Sequence, residues 1–263
     1  MFDFLNNKKR RKVALVLGGG SARGLAHIGV LKILEREKIP IDSIVGTSMG
    51  AMIGAAYSVG VPISQMEERA YKFTMKKILD PTMPSMGLLA GVKLEATIKH
   101  LIDSKQFEDC KIPLAVVTND IETGEEVVFQ KGNLIKVVRA SCSWPGIFNP
   151  VRIDGRLLSD GGIKHSVPTK IARDLGADYV IAVDVGFCVR RGKIDNIFQM
   201  IVQSFQIMGE ELNQYQSRDA DSVIKVYLTD IDQAAFDKSR EIIAKGAEAA
   251  EAGIEQIKRD LRV

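Results

Sequence analysis

The chain has 263 residues, 46% of them hydrophobic and 26% charged, which is enough to bury one substantial core and excludes a disordered or fibrous protein. A net charge of +3, spread over 36 basic and 33 acidic residues, gives no nucleic acid as the main partner. Cys110, Cys142 and Cys188 lack close spacing, so reduced thiols are expected rather than a disulfide framework, and no metal or other cofactor is called for.

Residues 1–12 read as a basic amino-terminal tail, and residues 13–263 as one domain. Lys8, Lys9, Arg10, Arg11 and Lys12 follow Met1-Phe2-Asp3-Phe4-Leu5. Two readings stay open: a solvated end, or an apolar tip that dips into an anionic membrane surface with the basic run behind it. Val13 to Leu17 is too short for a signal-peptide core and is expected as the first strand. Leu25 to Glu37 places Ile28, Leu31, Ile33 and Leu34 on one helical face, and Pro40 ends that helix. Ile41 to Val45 reads as a strand and Ala51 to Val59 as a helix.

Met75 to Gly91 mixes Pro81, Pro84, Gly87 and Gly91 with three methionines, the composition of a mobile flap that either meets apolar ligands or fills gaps against the core. Leu114 to Thr118, Tyr179 to Val185 and Val223 to Leu228 are expected as strands, with a hairpin over 151–158. From Ile194 to Tyr215, apolar residues recur in steps of four and three: Ile194, Phe198, Ile201, Phe205, Met208, Leu212 and Tyr215. Such a seam packs on a helix of the same chain or, in a homodimer, of a partner subunit; Ile197, Val202 and Ile207 widen the face and favour the first. The alternation predicts a three-layer α/β/α domain around a central, mainly parallel sheet. With no apolar run of about 20 residues to span a bilayer, the protein is expected to be soluble and cytoplasmic, peripheral at the inner membrane face if the tail engages lipid.

Three glycine-marked segments carry the chemistry. Gly46-Thr47-Ser48-Met49-Gly50 lies between a predicted strand and a predicted helix, the context of a nucleophile elbow, although a serine that merely caps the helix fits the pentapeptide too. Gly18-Gly19-Gly20-Ser21-Ala22-Arg23-Gly24 exposes backbone N–H groups that could hold a phosphate or the oxyanion of an acyl-transfer intermediate. Its spacing is not that of a dinucleotide fingerprint, and no Gly-Lys-Ser/Thr ending makes it a P-loop. Asp160, in Ser159-Asp160-Gly161-Gly162, is a candidate base or an ordinary Asp-Gly turn.

Taken in order, these three segments, together with Gly24 to Leu31 and with Arg139-Ala140-Ser141 leading to Pro145, Phe148 and Pro150, resemble the patatin-like phospholipase family, nearest its small bacterial members. The resemblance implies a patatin-like fold and a serine–aspartate dyad. Ser48 would attack an acyl carbonyl, Asp160 would take its proton, and the backbone at Gly19 and Gly20 would hold the oxyanion in a loop braced by Arg23. Gly46, Gly50, Gly161 and Gly162 would allow the close turns of elbow and dyad loop. The implied substrate is a lipid or other acyl ester, a phospholipid or lysophospholipid foremost. A general carboxylesterase or thioesterase and a phosphate- or nucleotide-binding protein are the alternatives. Of the three histidines, His165 is the rival base, five residues beyond Asp160; His27 reads as structural and His100 lies on a polar helical stretch.

Overall fold

A computed structural model describes residues 10–83, 86–186 and 194–263, apart from the Phe198 side chain. Val13–Leu17 forms β1, buried along its whole length, as its unbroken apolar run requires of a strand covered on both faces. A single 3-10 turn over Ser21–Leu25 leads into α1 (Ala26–Arg36). Then come β2 (Ser43–Thr47), α2 (Met49–Ser58), α3 (Ile63–Tyr71), β3 (Gly87–Leu89) and α4 (Val92–Leu101). The middle of the chain supplies β4 (Leu114–Asp120), β5 (Glu126–Phe129), α5 (Leu134–Ser141), β6 (Gly146–Phe148), β7 (Val151–Ile153) and β8 (Arg156–Asp160). It closes with α6 (Thr169–Asp174), β9 (Tyr179–Asp184), α7 (Ile197–Gln216), β10 (Ser222–Lys225) and α8 (Ser239–Leu261).

The main sheet runs β10-β9-β1-β2-β4 in parallel, and β5, β8 and β7 are added antiparallel. The expected three-layer α/β fold with a mainly parallel sheet is therefore what the chain adopts. Val13, Leu15 and Leu17 face the larger core under α1–α5 and α8, whereas Ala14 and Val16 face a smaller one with Val167 and Ile171 beside α6. The two long helices α1 and α8 cross closely, because a Cβ on Gly29 would lie 2.0 Å from the Ile243 carbonyl oxygen and one on Gly246 would lie 2.0 Å from that of Ala26.

One detail of the pairing positions the site. Val116 to Asn119 of β4 pair with β5, which fills one edge of that strand. The other edge must then serve both β2, opposite Leu114 to Val117, and β8, opposite Thr118 to Asp120. Thr47 ends opposite Val117 and Asp160 opposite Thr118, so the two strands meet head-on.

Several expectations need correcting. Of residues 75–91, Pro84 and Ser85 lie outside the described residues, and the others are not a loose flap: Pro81 bridges to Leu89, β3 pairs in parallel with β6, and Asp80 accepts the backbone N–H of Gly91 and Lys93, each at 2.9 Å. β10 stops at Lys225, and α2 begins at Met49, immediately after Ser48. In α7 the face turned to the protein is Gln206, Gly209, Asn213 and Gln216, while the seam residues Ile194, Ile201, Met208 and Tyr215 are exposed. Two of the polar side chains on that face are tied down by partners: Asn213 donates to Asp184, and Gln216 bridges Val167 N–H and the Lys164 carbonyl. Residues 1–9 of the tail and Cys188 lie outside the described residues, and Cys110 and Cys142 are free thiols.

The α1–α8 crossing gives a direct check. Gly246→Ala must push backbone apart, and urea unfolding should show a loss of about 1–3 kcal/mol.

Candidate active site

Ser48 joins β2 to α2 with φ 55° and ψ −123°, a strained conformation for a residue with a side chain. Neighbours hold it there. Its N–H donates to Ser141 Oγ at 2.8 Å, and the Ser141 hydroxyl donates in turn to the Val117 carbonyl at 2.7 Å. Gly50 lets α2 start against the end of β1, since a Cβ there would sit 2.0 Å from the Leu17 carbonyl oxygen. Gly46 similarly admits Ala51, whose Cα would be 2.6 Å from an added Cβ. The Ser48 side chain makes no capping hydrogen bond to α2, which leaves its hydroxyl at the free N-terminus of that helix.

Asp160 ends β8 and is only 1% exposed. Its backbone N–H donates to the Ser143 carbonyl at 3.0 Å, and Asn119 Nδ2 donates to the carbonyls of Asp160 and Gly161 at 3.1 and 3.2 Å. A Cβ on Gly161 would come within 2.5 Å of the Val117 carbonyl oxygen, so the turn after Asp160 needs glycine to press against β4. Asp160 Oδ1 accepts the Gly162 N–H at 2.8 Å, while Oδ2 has no hydrogen-bond partner. Burial raises the carboxyl pKa to about 7, against the opposing pull of the Ser48 hydroxyl and the Gly162 N–H. A carboxyl so placed exchanges its proton near neutral pH.

The glycine loop lies on the other side of the serine, with an added Cβ on Gly19 at 3.4 Å from Ser48 Cβ. Gly18 N–H donates to the Val183 carbonyl at 3.1 Å and Gly19 N–H to the Ser166 carbonyl at 2.9 Å; Ala22 and Arg23 N–H are likewise committed, to Gln233 and Gly20. Of the two expected oxyanion donors, Gly19 thus has its N–H on the Ser166 carbonyl. Among the described residues, those of Gly20 and Ser21 remain free. Arg23 is wholly buried, its Nε on the Ile231 carbonyl at 2.8 Å and Nη1 on that of Gly186 at 3.2 Å, so it braces the loop rather than facing Ser48.

The histidine side chains are engaged elsewhere than at Ser48 and Asp160. His165 Nε2 pairs with Glu126 Oε2 at 2.5 Å, and only its backbone carbonyl reaches the elbow, accepting Thr47 Oγ1 at 2.8 Å. His27 donates from Nε2 to the Gly18 carbonyl at 2.8 Å, and full burial lowers its pKa to about 4, which keeps it neutral. His100 lines a cavity of about 740 Å³ that opens beside Met49, the residue next to the serine, between α1, α2, α3 and α4. Among the described residues, no cluster of His, Cys, Asp and Glu could hold a metal.

Reading the sequence residue by residue misses four supporting groups: Asn119, Ser141, Ser143 and Cys142, whose thiol neighbours both Ser48 and Asp160 and is driven to a high pKa by burial. Ser141 had a signal only within the Arg139-Ala140-Ser141 stretch of the family resemblance. Asn119 had none.

Residues 15–173 match the family described as Patatin-like phospholipase. The chain belongs to the patatin-like phospholipase family. Over 182 residues it is 41% identical to patatin-like phospholipase domain-containing protein 6 of Mus musculus, covering 66% of this chain and 13% of that protein. An uncharacterised NTE family protein of Mycobacterium tuberculosis is 36% identical over 180 residues, which is 66% of this chain and 49% of the relative. The chain thus spans about an eighth of the mouse relative's length and half of the mycobacterial one's. In fold it is similar to VipD from Legionella pneumophila, with TM-score 0.56, 14% identity, and coverage of 94% of this chain and 67% of that one. The type III effector protein ExoU is similar at TM-score 0.54 and 13% identity, over 95% and 54% of the respective chains.

The raised pKa of Asp160 makes a stability prediction. The folded state favours the neutral carboxyl, so stability is lost as pH rises from about 4 through about 7. Asp160→Asn should therefore exceed the native protein by up to roughly 4 kcal/mol in denaturant unfolding at pH 8, with no difference below pH 4.

Proposed function

We propose that this patatin-like protein is a serine acyl hydrolase that cleaves carboxylic esters of phospholipids or lysophospholipids through Ser48 and Asp160. The observation that carries the reading is the head-on meeting of β2 and β8, which sets a strained, uncapped serine beside a buried carboxyl with one oxygen unbonded.

In this mechanism Ser48 Oγ attacks the ester carbonyl while Asp160 Oδ2 takes its proton. The oxyanion settles on the N–H groups of Gly20 and Ser21, at the end of a loop whose other donors are already engaged. Collapse expels the alcohol, which regains the proton from Asp160, and leaves an acyl-serine. Water then attacks that ester with Asp160 again as base, releasing the acid and restoring the serine. A carboxylate with a pKa near 7 is much better matched to these transfers than an ordinary aspartate near 4.

The cavity beside Met49, lined by Leu25, Ile28, Met52, Ile53 and Phe236 among others, is a fitting place for the acyl chain. It favours a long chain over a small soluble ester. A phosphate-binding role for the glycine loop has less support, with two free N–H groups and no neighbouring lysine in the loop.

Fluorophosphonate should label the native protein and not Ser48→Ala, and long-chain ester hydrolysis should vanish with it. Asp160→Asn should lower kcat by about 10²–10⁴, whereas His165→Ala should stay far inside that range. In the native protein kcat/KM should fall about tenfold per pH unit below pH 7, following loss of the Asp160 carboxylate. Retention of activity in Asp160→Asn would sink the dyad.

A further inference from the structure

The stretch from the end of α3 to Lys93 in the first turn of α4 has a surface that the proposed reaction does not use. It exposes Leu79, Met83, Met86, Leu88 and Val92, with Met83 87% and Val92 70% exposed. Scattered exposed apolar side chains are ordinary, but five on one short segment are not. Among the described residues, the Pro81–Leu89 bridge, the Asp80 hydrogen bonds and the β3–β6 pairing hold this surface in shape.

Cations are interleaved with these residues. Lys76, Lys77 and Lys93 belong to the same segment and line the cavity beside Met49, whose lining includes no acidic residue. Lys77 and Lys93 rest their amines on the carbonyls of Lys72 and Leu79, at 2.8 and 2.9 Å, which satisfies hydrogen bonding without cancelling charge. Asp80 is the segment's only acid, and its carboxylate is occupied by backbone N–H groups.

The apolar surface extends beyond the segment. Trp144, which leads into β6 next to β3, packs edge-on against Phe205 of α7, their ring centroids 5.7 Å apart. Beyond Phe205, Met200, Ile201 and Met208 are exposed on the same helix.

We propose that this face docks on an anionic lipid bilayer, with Met83, Met86, Leu88 and Val92 entering the headgroup boundary and Lys76, Lys77 and Lys93 meeting anionic headgroups. Apolar side chains combined with uncancelled lysines match such a surface, and a second copy of the same face would bring like charges together. Arg10, Arg11 and Lys12 do not belong to this face. They enter β1 at the end of the sheet opposite Ser48, and Arg10 is paired with Asp42.

Binding can be tested apart from hydrolysis by using the full chain as Ser48→Ala in sedimentation with phosphatidylcholine vesicles, with and without phosphatidylglycerol. The protein should bind the anionic vesicles, leave them as salt rises, and lose about tenfold or more in affinity with Lys76→Glu/Lys77→Glu. Met83→Ser/Met86→Ser should weaken binding at every salt concentration while leaving the thermal unfolding midpoint unchanged, because both side chains are exposed. Equal binding to both vesicle types, or binding indifferent to all four substitutions, would overturn the proposal. So would a concentration-dependent dimer that Met83→Ser/Met86→Ser dissociates and that does not bind vesicles. None of these readings depends on Ser48 being a nucleophile.

Discussion

Two strands that end against the same edge of β4 hold the site together. β2 arrives from one direction and β8 from the other, and neither can advance because the other occupies the next positions on the ladder. The chain leaving each strand is therefore forced aside. After β2 it turns sharply through Ser48 into α2; after β8 it turns through Gly161, which must be bare to pass the Val117 carbonyl. That same carbonyl accepts the Ser141 hydroxyl that fixes the Ser48 backbone, so one peptide group of β4 is a common reference for both residues of the proposed dyad. The geometry thus rests on backbone pairing, which is stiffer than any side-chain contact.

The chemistry of the site follows from burial. Asp160 is enclosed by β8, the turn after α5 and the elbow, and burial leaves its Oδ2 without a hydrogen-bond partner, at a cost in free energy. Neighbours fix it in place: Asn119 through its Nδ2, Ser143, Ser159 and Gly162 all bond the backbone or the near oxygen around it. Ser143 also ties the site to the segment before α4. Its hydroxyl meets the buried Arg139 guanidinium, whose remaining N–H groups clasp the carbonyls of Ala90, Gly91 and Asn149, and its carbonyl accepts the Asp160 N–H. Gly91, with φ 81°, leaves the room that Arg139 occupies.

Much of this could be read from the sequence, and the residues explain where reading stopped. β1 and most of β4 and β9 are apolar runs, β2 is marked by Ile44-Val45 ahead of the elbow, and α1 has a clear apolar face, so local pattern sufficed. The serine elbow and the Asp-Gly-Gly turn are short and depend on glycine, which makes them visible as strings. Burial of Asp160, capture of His165 by Glu126 and engagement of the Gly19 N–H by Ser166 are long-range events with no local trace. Two prolines and two glycines make residues 75–91 read as a loose segment, yet its described residues are held by Asp80 within and Arg139 far along the chain. In α7 the apolar period was real, but polar side chains with waiting partners took the inner face.

The head-on arrangement also orders events during synthesis. Ser48 leaves the ribosome more than a hundred residues before Asp160, and β9, which covers the other edge of β1, comes later still. At common elongation rates that interval is on the order of ten seconds. Once β4 has followed, the edge that β8 will occupy is still open, and Ser48 has no Asp160 carboxyl beside it. On the proposed mechanism, a nascent chain of this kind emerges inert and gains reactivity only when β8 brings Asp160 to Ser48.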